Sequence, residues 1–292
     1  MKKINKKLFS KKQVQQYRSE GYLIAESLID ALSLKQIKDA ILEVTDKALC
    51  SKDHSQILEF EPNEFEGKRI PRRIYSPYFQ HKYFQNLGCD NRILDRIELL
   101  IGKDIQIQHS KLNMKPAKVG SVVEWHQDLT YFPHTNDDLV TTLIYLDDAT
   151  IENGCLQVLP KKHHRFLNHS TKEGNFAGMV TEKISKAEHG VPVPLEGKAG
   201  TVIFMHCMLP HSSLPNKSEK DRGTLIFEYR AADSFPIFFG ELVSLNESKA
   251  RQVRGNPASF ARFGKISPMI PKLKGKISSL YDLQSQAKNK II

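Results

Sequence analysis

A mainly β fold with flanking α-helices is predicted by three observations. Apolar residues recur at helical spacing in separate runs through the first hundred residues. From residue 104 the period drops to two. Short strand-like segments with turn residues between them then continue to about residue 230. Several short strands at regular spacing close into a sandwich or a barrel. A chain of 292 residues buries one large core, or at most two modest ones. With no internal repeat and no linker in view, residues 1–292 read as one domain. It has a helical N-terminal part (about 8–101), a β core (about 104–245) and a basic C-terminal arm (about 246–292).

The elements follow in order. Ser10-Lys11-Lys12-Gln13 has the capping-box pattern, and Val14 and Tyr17 start a short helix over about 11–19 that Gly21 ends. Tyr22-Leu23-Ile24 reads as a strand. Leu34, Ile37, Ile41, Leu42 and Val44 mark a helix over about 32–48, and helical pattern returns near 91–101. Residues 50–75 are polar and broken, which predicts a surface loop. Ile105 and Ile107 begin an alternation that runs to about Met114. Further strands are expected over Val122–Leu129, Val140–Leu146, Gly154–Leu159, Gly200–His206 and Gly223–Arg230. Residues 161–190 are rich in Lys and His and lack a period, as a solvated lid would be. The arm after about 245 is expected to pack on the surface, with a weak helix at Ser279–Ala287.

Composition narrows the functional classes. The 40% hydrophobic and 26% charged content is that of an ordinary globular protein. No apolar run approaches the roughly 20 residues a membrane span needs, and the basic N-terminus has no apolar stretch behind it. Cys50, Cys89, Cys155 and Cys207 have no C-x-x-C spacing and read as free thiols of a cytoplasmic protein, with Cys155 and Cys207 in the core. The net charge of +10 gathers at Lys2–Lys12 and Lys265–Lys290 without interleaved aromatics. It therefore argues for a lysine-rich surface, or an anionic small substrate, ahead of nucleic acid.

Two distant segments carry the chemistry: Trp125-His126-Gln127-Asp128 and Pro210-His211-Ser212-Ser213, with Arg222 after the second. In an extended strand, positions i and i+2 share a face. His126 and Asp128 then point into the barrel, and Trp125 and Gln127 point out. His211 falls on the turn into the following strand. Two His and one carboxylate on one face of a metal are the facial triad of non-heme Fe(II) oxygenases. The positions left open suit a bidentate oxo-acid and O2, and a buried Arg supplies a planar fork for the far carboxylate. No thiolate lies near, which argues against structural zinc. His163, His164 and His169 read as part of the polar lid rather than a second metal site. Asn113 is expected on a strand antiparallel and adjacent to that of His126, and His109 and Lys111 share its face. Arg222 shares a face with Thr224 and Ile226. Arg69, Arg72 and Arg73 read as a solvated basic face, or else as a contact for an anionic head group. Glu152-Asn153-Gly154 reads as a tight turn, and Asn216 and Ser218 as shaping the loop that presents Arg222.

The stretch from about 105 to 230 resembles the phytanoyl-CoA dioxygenase family, which includes ectoine hydroxylase. The matching text is Asn113-x-Lys115-Pro116, Trp125-His126-Gln127-Asp128, Glu152 to Pro160, and His211-Ser212-Ser213-x-x-Asn216-x-Ser218-x-x-x-Arg222. The opening Ser10 to Ile24 is similar too. The resemblance implies a double-stranded β-helix (jelly-roll, cupin-like) core and a dioxygenase using Fe(II), 2-oxoglutarate and O2. It makes His126, Asp128 and His211 the iron ligands and places Arg222 on the C5 carboxylate of 2-oxoglutarate. Asn113, Ser213 and Thr141 become further cosubstrate contacts.

The activity this implies is hydroxylation, or a related oxidation, of an unactivated C–H in a small metabolite, anionic ones among the candidates, with release of succinate and CO2. Halogenating relatives replace the triad carboxylate with a small residue, and this chain keeps Asp128. The alternatives are an oxygenase acting on nucleic acid or protein, and a jelly-roll protein that binds a metabolite without turnover. An open metal face beside an arginine weighs against the last.

Overall fold

The computed structural model describes residues 7–51, 54–237, 251–266 and 280–291. Helix α1 (Lys11–Glu20) opens on the predicted capping box, the Gln13 amide donating to Ser10 Oγ and the Ser10 amide to Gln13 Oε1. Gly21 closes it at φ +88°, a left-handed conformation that glycine adopts without strain. Strand β1 (Tyr22–Ala25) leads to α2 (Ala31–Leu49), capped by Asp30, whose carboxylate accepts the Ser33 amide at 2.8 Å. Helices α3 (Pro77–Gln80), α4 (Lys82–Gly88) and α5 (Asn91–Ile101) precede the long strand β4 (Ile105–Lys115).

Next come β5 (Val123–His126), β6 (Leu139–Tyr145), β7 (Leu156–Val158), α6 (Lys186–His189), β8 (Val193–Pro194), β9 (Val202–His206), β10 (His211–Ser213) and β11 (Arg222–Ala231). Strand β12 (Arg251–Arg254) and helix α7 (Leu280–Ile291) complete the described chain. The predicted loop over 50–75 is corrected. It contains β2 (Leu58–Phe60) and β3 (Pro71–Tyr75), which extend the sheet beyond β4. Its charges misled because Arg72 and Arg73 are buried and paired with Glu59 and Glu61 inside the protein.

Two antiparallel sheets face each other. The major sheet runs β1-β9-β6-β11-β4-β3-β2, with β12 also on β4. The minor sheet runs β5-β10-β7-β8. This is the jelly-roll core. The helices cover the outer face of the major sheet, where Ile37, Phe84, Ile93 and Ile97 meet Val140, Phe204 and Phe227. Between the sheets, Leu143, Ile203 and Ile226 pack with Leu156 and Val158.

A register shift between Glu228 and Tyr229, opposite Gln108, decides what β4 presents to the interior. Ile105 and Ile107 lie against the helices with Leu112. Past the bulge the alternation changes face, and Lys111 and Asn113 line the cavity between the sheets. Without the extra residue, the faces set by Ile105 and Ile107 would carry those two polar side chains into the helix-side core.

The expected solvated lid over 161–190 is also corrected. His163, His169 and His189 are buried, and His164 is exposed. His169 Nδ1 lies 2.8 Å from the Leu167 carbonyl, and its Nε2 accepts the Gln127 amide at 3.3 Å. Gln127, expected to point out of the barrel, is fully buried. Its amide donates to the carbonyls of Arg165 (2.9 Å) and Met208 (2.6 Å) and accepts from the Leu167 amide (2.8 Å). It turns away from the barrel as predicted, but the 163–169 segment covers that outer face.

Candidate active site

One cleft between the sheets gathers most of the predicted residues. His126 ends β5 and His211 begins β10, and the two are direct partners across the strand pair, with rings 4.1 Å apart. His211 is therefore a strand residue rather than a turn residue. Asp128 lies two positions beyond His126, where the chain leaves the strand for a single 3-10 turn. Its Oδ1 is 3.8 Å from His126 Nε2 and 3.7 Å from His211 Nε2. Among the described residues, this trio is the one group of three or more His, Cys, Asp or Glu with donors close enough to hold a metal ion. The histidines at 163, 164 and 169 do not form another.

The donors are prepared for a cation. His126 Nδ1 lies 2.7 Å from the Glu124 carbonyl, and His211 Nδ1 lies 2.9 Å from the Leu209 carbonyl. A ring N–H donated there leaves Nε2 with its lone pair toward the cleft. Burial lowers both histidine pKa values, and for His126 the neighbouring His211 adds to the effect, so both rings stay neutral. Burial alone would raise the Asp128 pKa. His211, Lys111 and His126, together with a 2.8 Å hydrogen bond from Thr141 Oγ1 to Asp128 Oδ2, outweigh it and lower the pKa. The result is a carboxylate with Oδ1 free beside two neutral imidazoles. That donor set suits a divalent metal that binds N and O ligands. Thr141, expected beside the cosubstrate, lines the cleft and donates its hydroxyl hydrogen bond to Asp128.

Arg222 opens β11, buried, with Thr224 and Ile226 on its face as predicted. Nη1 donates to Thr224 Oγ1 at 2.6 Å and Nη2 to the Gly154 carbonyl. Nε has no partner, and no carboxylate of the described residues forms an ion pair with this guanidinium. Gly154 sits at φ +72° in the predicted Glu152-Asn153-Gly154 turn, which aims its carbonyl at the arginine. Asn216 accepts the Ser218 amide at 2.9 Å and donates to the carbonyls of Lys115 and Lys220, both at 2.8 Å, and so shapes the loop before Arg222. Lys115 ties that loop to the barrel by donating to the carbonyls of Ser121 (2.7 Å) and Ser213 (3.2 Å).

Asn113 and Ser213 both line the cleft. Asn113 does not lie beside the His126 strand, however. Strand β4 belongs to the major sheet and β5 to the minor one, so Asn113 faces His126 across the barrel. Lys111 lines the cleft too and pairs with the buried Glu228 at 2.9 Å, while His109 is outside the lining. The expected basic face divides. Arg69 is exposed over the Phe60 ring, whereas Arg72 and Arg73 are buried.

Two contributors lie outside the sequence reading. Tyr131 packs its ring edge-on to His126 and donates to the Gly178 carbonyl. Tyr281 of α7 lies over Arg72 (3.7 Å) and Arg73 (5.0 Å). The C-terminal arm therefore reaches the site rather than the surface alone. Gln284 donates to the Gly178 carbonyl at 2.8 Å, and Lys288 pairs with Glu124. The one sequence signal for this region was the opposed charges of Glu59 and Glu61 against Arg72 and Arg73.

A jelly-roll with two histidines and a carboxylate around one open pole is the frame of a mononuclear Fe(II) oxygenase. Comparison with known proteins agrees. The phytanoyl-CoA dioxygenase family matches residues 17–224, and the chain belongs to that family. A probable alpha-ketoglutarate-dependent hypophosphite dioxygenase from Stutzerimonas stutzeri is 29% identical over 270 residues, covering 89% of this chain and 91% of the relative. The fold is shared with a non-heme alpha-ketoglutarate-dependent carbocyclase of nogalamycin biosynthesis (TM-score 0.66, 21% identity, 92% and 94% of the two chains). It is shared as well with EctD from S. alaskensis, crystallised with 2-oxoglutarate and 5-hydroxyectoine (TM-score 0.65, 24% identity, 79% of each chain). The protein is a non-heme Fe(II)- and 2-oxoglutarate-dependent dioxygenase, with O2 as cosubstrate.

Proposed function

We propose that this enzyme hydroxylates an unactivated C–H of a small, anionic metabolite, with His126, Asp128 and His211 holding Fe(II) and Arg222 holding the C5 carboxylate of 2-oxoglutarate. One observation carries the reading: a buried guanidinium with no carboxylate partner among the described residues shares a cleft with three converging candidate metal donors. Bound Fe(II) and 2-oxoglutarate supply the oxidation by O2, with succinate and CO2 as coproducts.

The chain's own residues do the rest. Thr141 holds the Asp128 carboxylate with one oxygen facing the cleft, so we read it as a positioning residue for the metal ligand. The Glu124 and Leu209 carbonyls orient the two imidazoles. Asn113 and Ser213 add polar contacts for the cosubstrate, and Leu143, Leu156 and Ile226 keep water from the reacting carbon. No described helix is long and apolar enough to cross a membrane. The free thiols support a cytoplasmic setting.

The test is product mass spectrometry under isotopically labelled O2, with succinate measured alongside. Wild type should release succinate and place labelled oxygen in the product with no need for chloride, and Asp128→Ala should do neither. Full turnover in Asp128→Ala removes that carboxylate from the metal site.

A further inference from the structure

The cleft has a second guanidinium besides the one assigned to the cosubstrate. Arg73 lines it from β3 and is 4% exposed. Its Nε donates to Asn113 Oδ1 at 3.0 Å. Its Nη1 lies 3.5 Å from Glu59 Oε2, but that carboxylate is already engaged by Arg72 Nη2 and the Tyr75 hydroxyl, both at 2.7 Å. The remaining nitrogen, Nη2, is buried with no hydrogen-bond partner among the described residues. Tyr281 covers the same guanidinium. A buried cation with an open N–H is costly to keep unless something binds it.

The sheet register separates this group from Arg222. Arg73 pairs with Asn113, and Asn113 with Thr224, which accepts from Arg222. Arg73, Asn113 and Thr224 thus form one row of the sheet, with Arg73 and Thr224 about 10 Å apart at strand spacing, and Arg222 stands two residues further along β11, opposite Lys115. Lys111, the third cation, is already paired with Glu228. Asp128 is committed to the metal pole.

We propose that Arg73 is a second anion pole of the cleft and binds an oxyanion group of the primary substrate, a carboxylate, phosphonate or sulfonate. This rests on the reading that Arg222 serves 2-oxoglutarate. The two poles then sort two acids, the cosubstrate toward β11 and the substrate toward β3. The target C–H lies between the substrate's acid group and the metal donors.

The test is calorimetry on anaerobic protein loaded with Fe(II) and 2-oxoglutarate. It is titrated with acetate, methylphosphonate and methanesulfonate, and with acetamide as the neutral control. At least one anion should bind wild type and acetamide should not, and the anion that binds identifies the acid. Arg73→Gln should weaken that anion tenfold or more and leave 2-oxoglutarate affinity within about twofold. Arg73→Lys, which keeps the charge without the fork, should fall between, and it serves as the test variant if Arg73→Gln does not fold. Three results overturn the proposal: no anion binds wild type, the variants bind the anion as wild type does, or they lose 2-oxoglutarate in equal measure. Failure of wild type to bind 2-oxoglutarate overturns the underlying reading as well, so the two failures are distinguishable.

Discussion

Replacing Arg222 with leucine separates ligand recognition from folding. Arginine has five N–H donors. Thr224 and Gly154 take one each, and the rest, including the unpartnered Nε, are left for a carboxylate. Truncating one partner of a buried charge pair costs about 2–5 kcal/mol of binding, or roughly 30- to 5,000-fold in the Kd of 2-oxoglutarate. The ligand-free protein should change little. Losing the donor to the buried Gly154 carbonyl costs about 1 kcal/mol, and removing a buried charge that lacks a counterion offsets it. Thermal unfolding with Fe(II) under anaerobic conditions reads both effects. Cosubstrate at 100 times the wild-type Kd stabilises wild type by about 2.7 kcal/mol, and at the same concentration Arg222→Leu keeps about 0.9 kcal/mol or less. Arg222→Lys should recover only part of the shift, because an ammonium lacks the planar fork. A full wild-type shift in Arg222→Leu, at unchanged ligand-free Tm, would refute the assignment.

Other expectations follow from the same structure. His126→Ala and His211→Ala should each abolish stoichiometric Fe(II) binding in anaerobic titration with the fold retained, since neither side chain belongs to an apolar cluster; unchanged iron affinity in either variant removes that residue from the site. Gly154→Ala forces a side chain into a left-handed conformation, with its Cβ 2.1 Å from the Leu214 carbonyl. It should destabilise by about 2 kcal/mol or more in urea unfolding and weaken 2-oxoglutarate by displacing the Arg222 acceptor; wild-type values for both would contradict the structure. Burial brings His134 to about 3 and His169 to about 4. These folded values lie below the unfolded one near 6.5, so the unfolded chain takes up protons first and stability falls as pH drops below about 6.5. At pH 5 the loss is about 2 kcal/mol for each ring, seen as a lower urea midpoint than at pH 7.5.

The metal trio was legible because its signal is local on each side: His126 and Asp128 two residues apart, and His211 in a short polar strand. The capping box at Ser10 and the long amphipathic helices were legible for the same reason. What escaped depended on long-range partners. Arg72 and Arg73 look like surface residues until Glu59 and Glu61 are folded against them. Gln127 looks outward-facing until the irregular 163–169 segment is laid over its strand. Asn113 was placed on a strand beside His126 because chain proximity favours hairpins, yet the jelly-roll path sends β4 and β5 into opposite sheets. Tyr281 carries no local pattern, and its stacking on two arginines appears only once α7 is docked.

The two sheets divide the labour of the cleft. All three candidate metal donors come from the minor sheet and the turn that leaves it, on short strands. Most of the polar and charged side chains that line the rest of the cleft, Arg222, Thr224, Asn113, Lys111 and Arg73 among them, come from the major sheet. Much of the major-sheet wall can therefore change while the donor positions stay, provided that Thr141, which holds Asp128 from β6, is kept. Exchanges along β3 reach the cleft through Arg73 and leave the donor set and its supporting carbonyls in place. A single scaffold can so diversify over chemically unrelated metabolites, and the same separation makes β3 the natural starting point for redirecting this enzyme to new substrates.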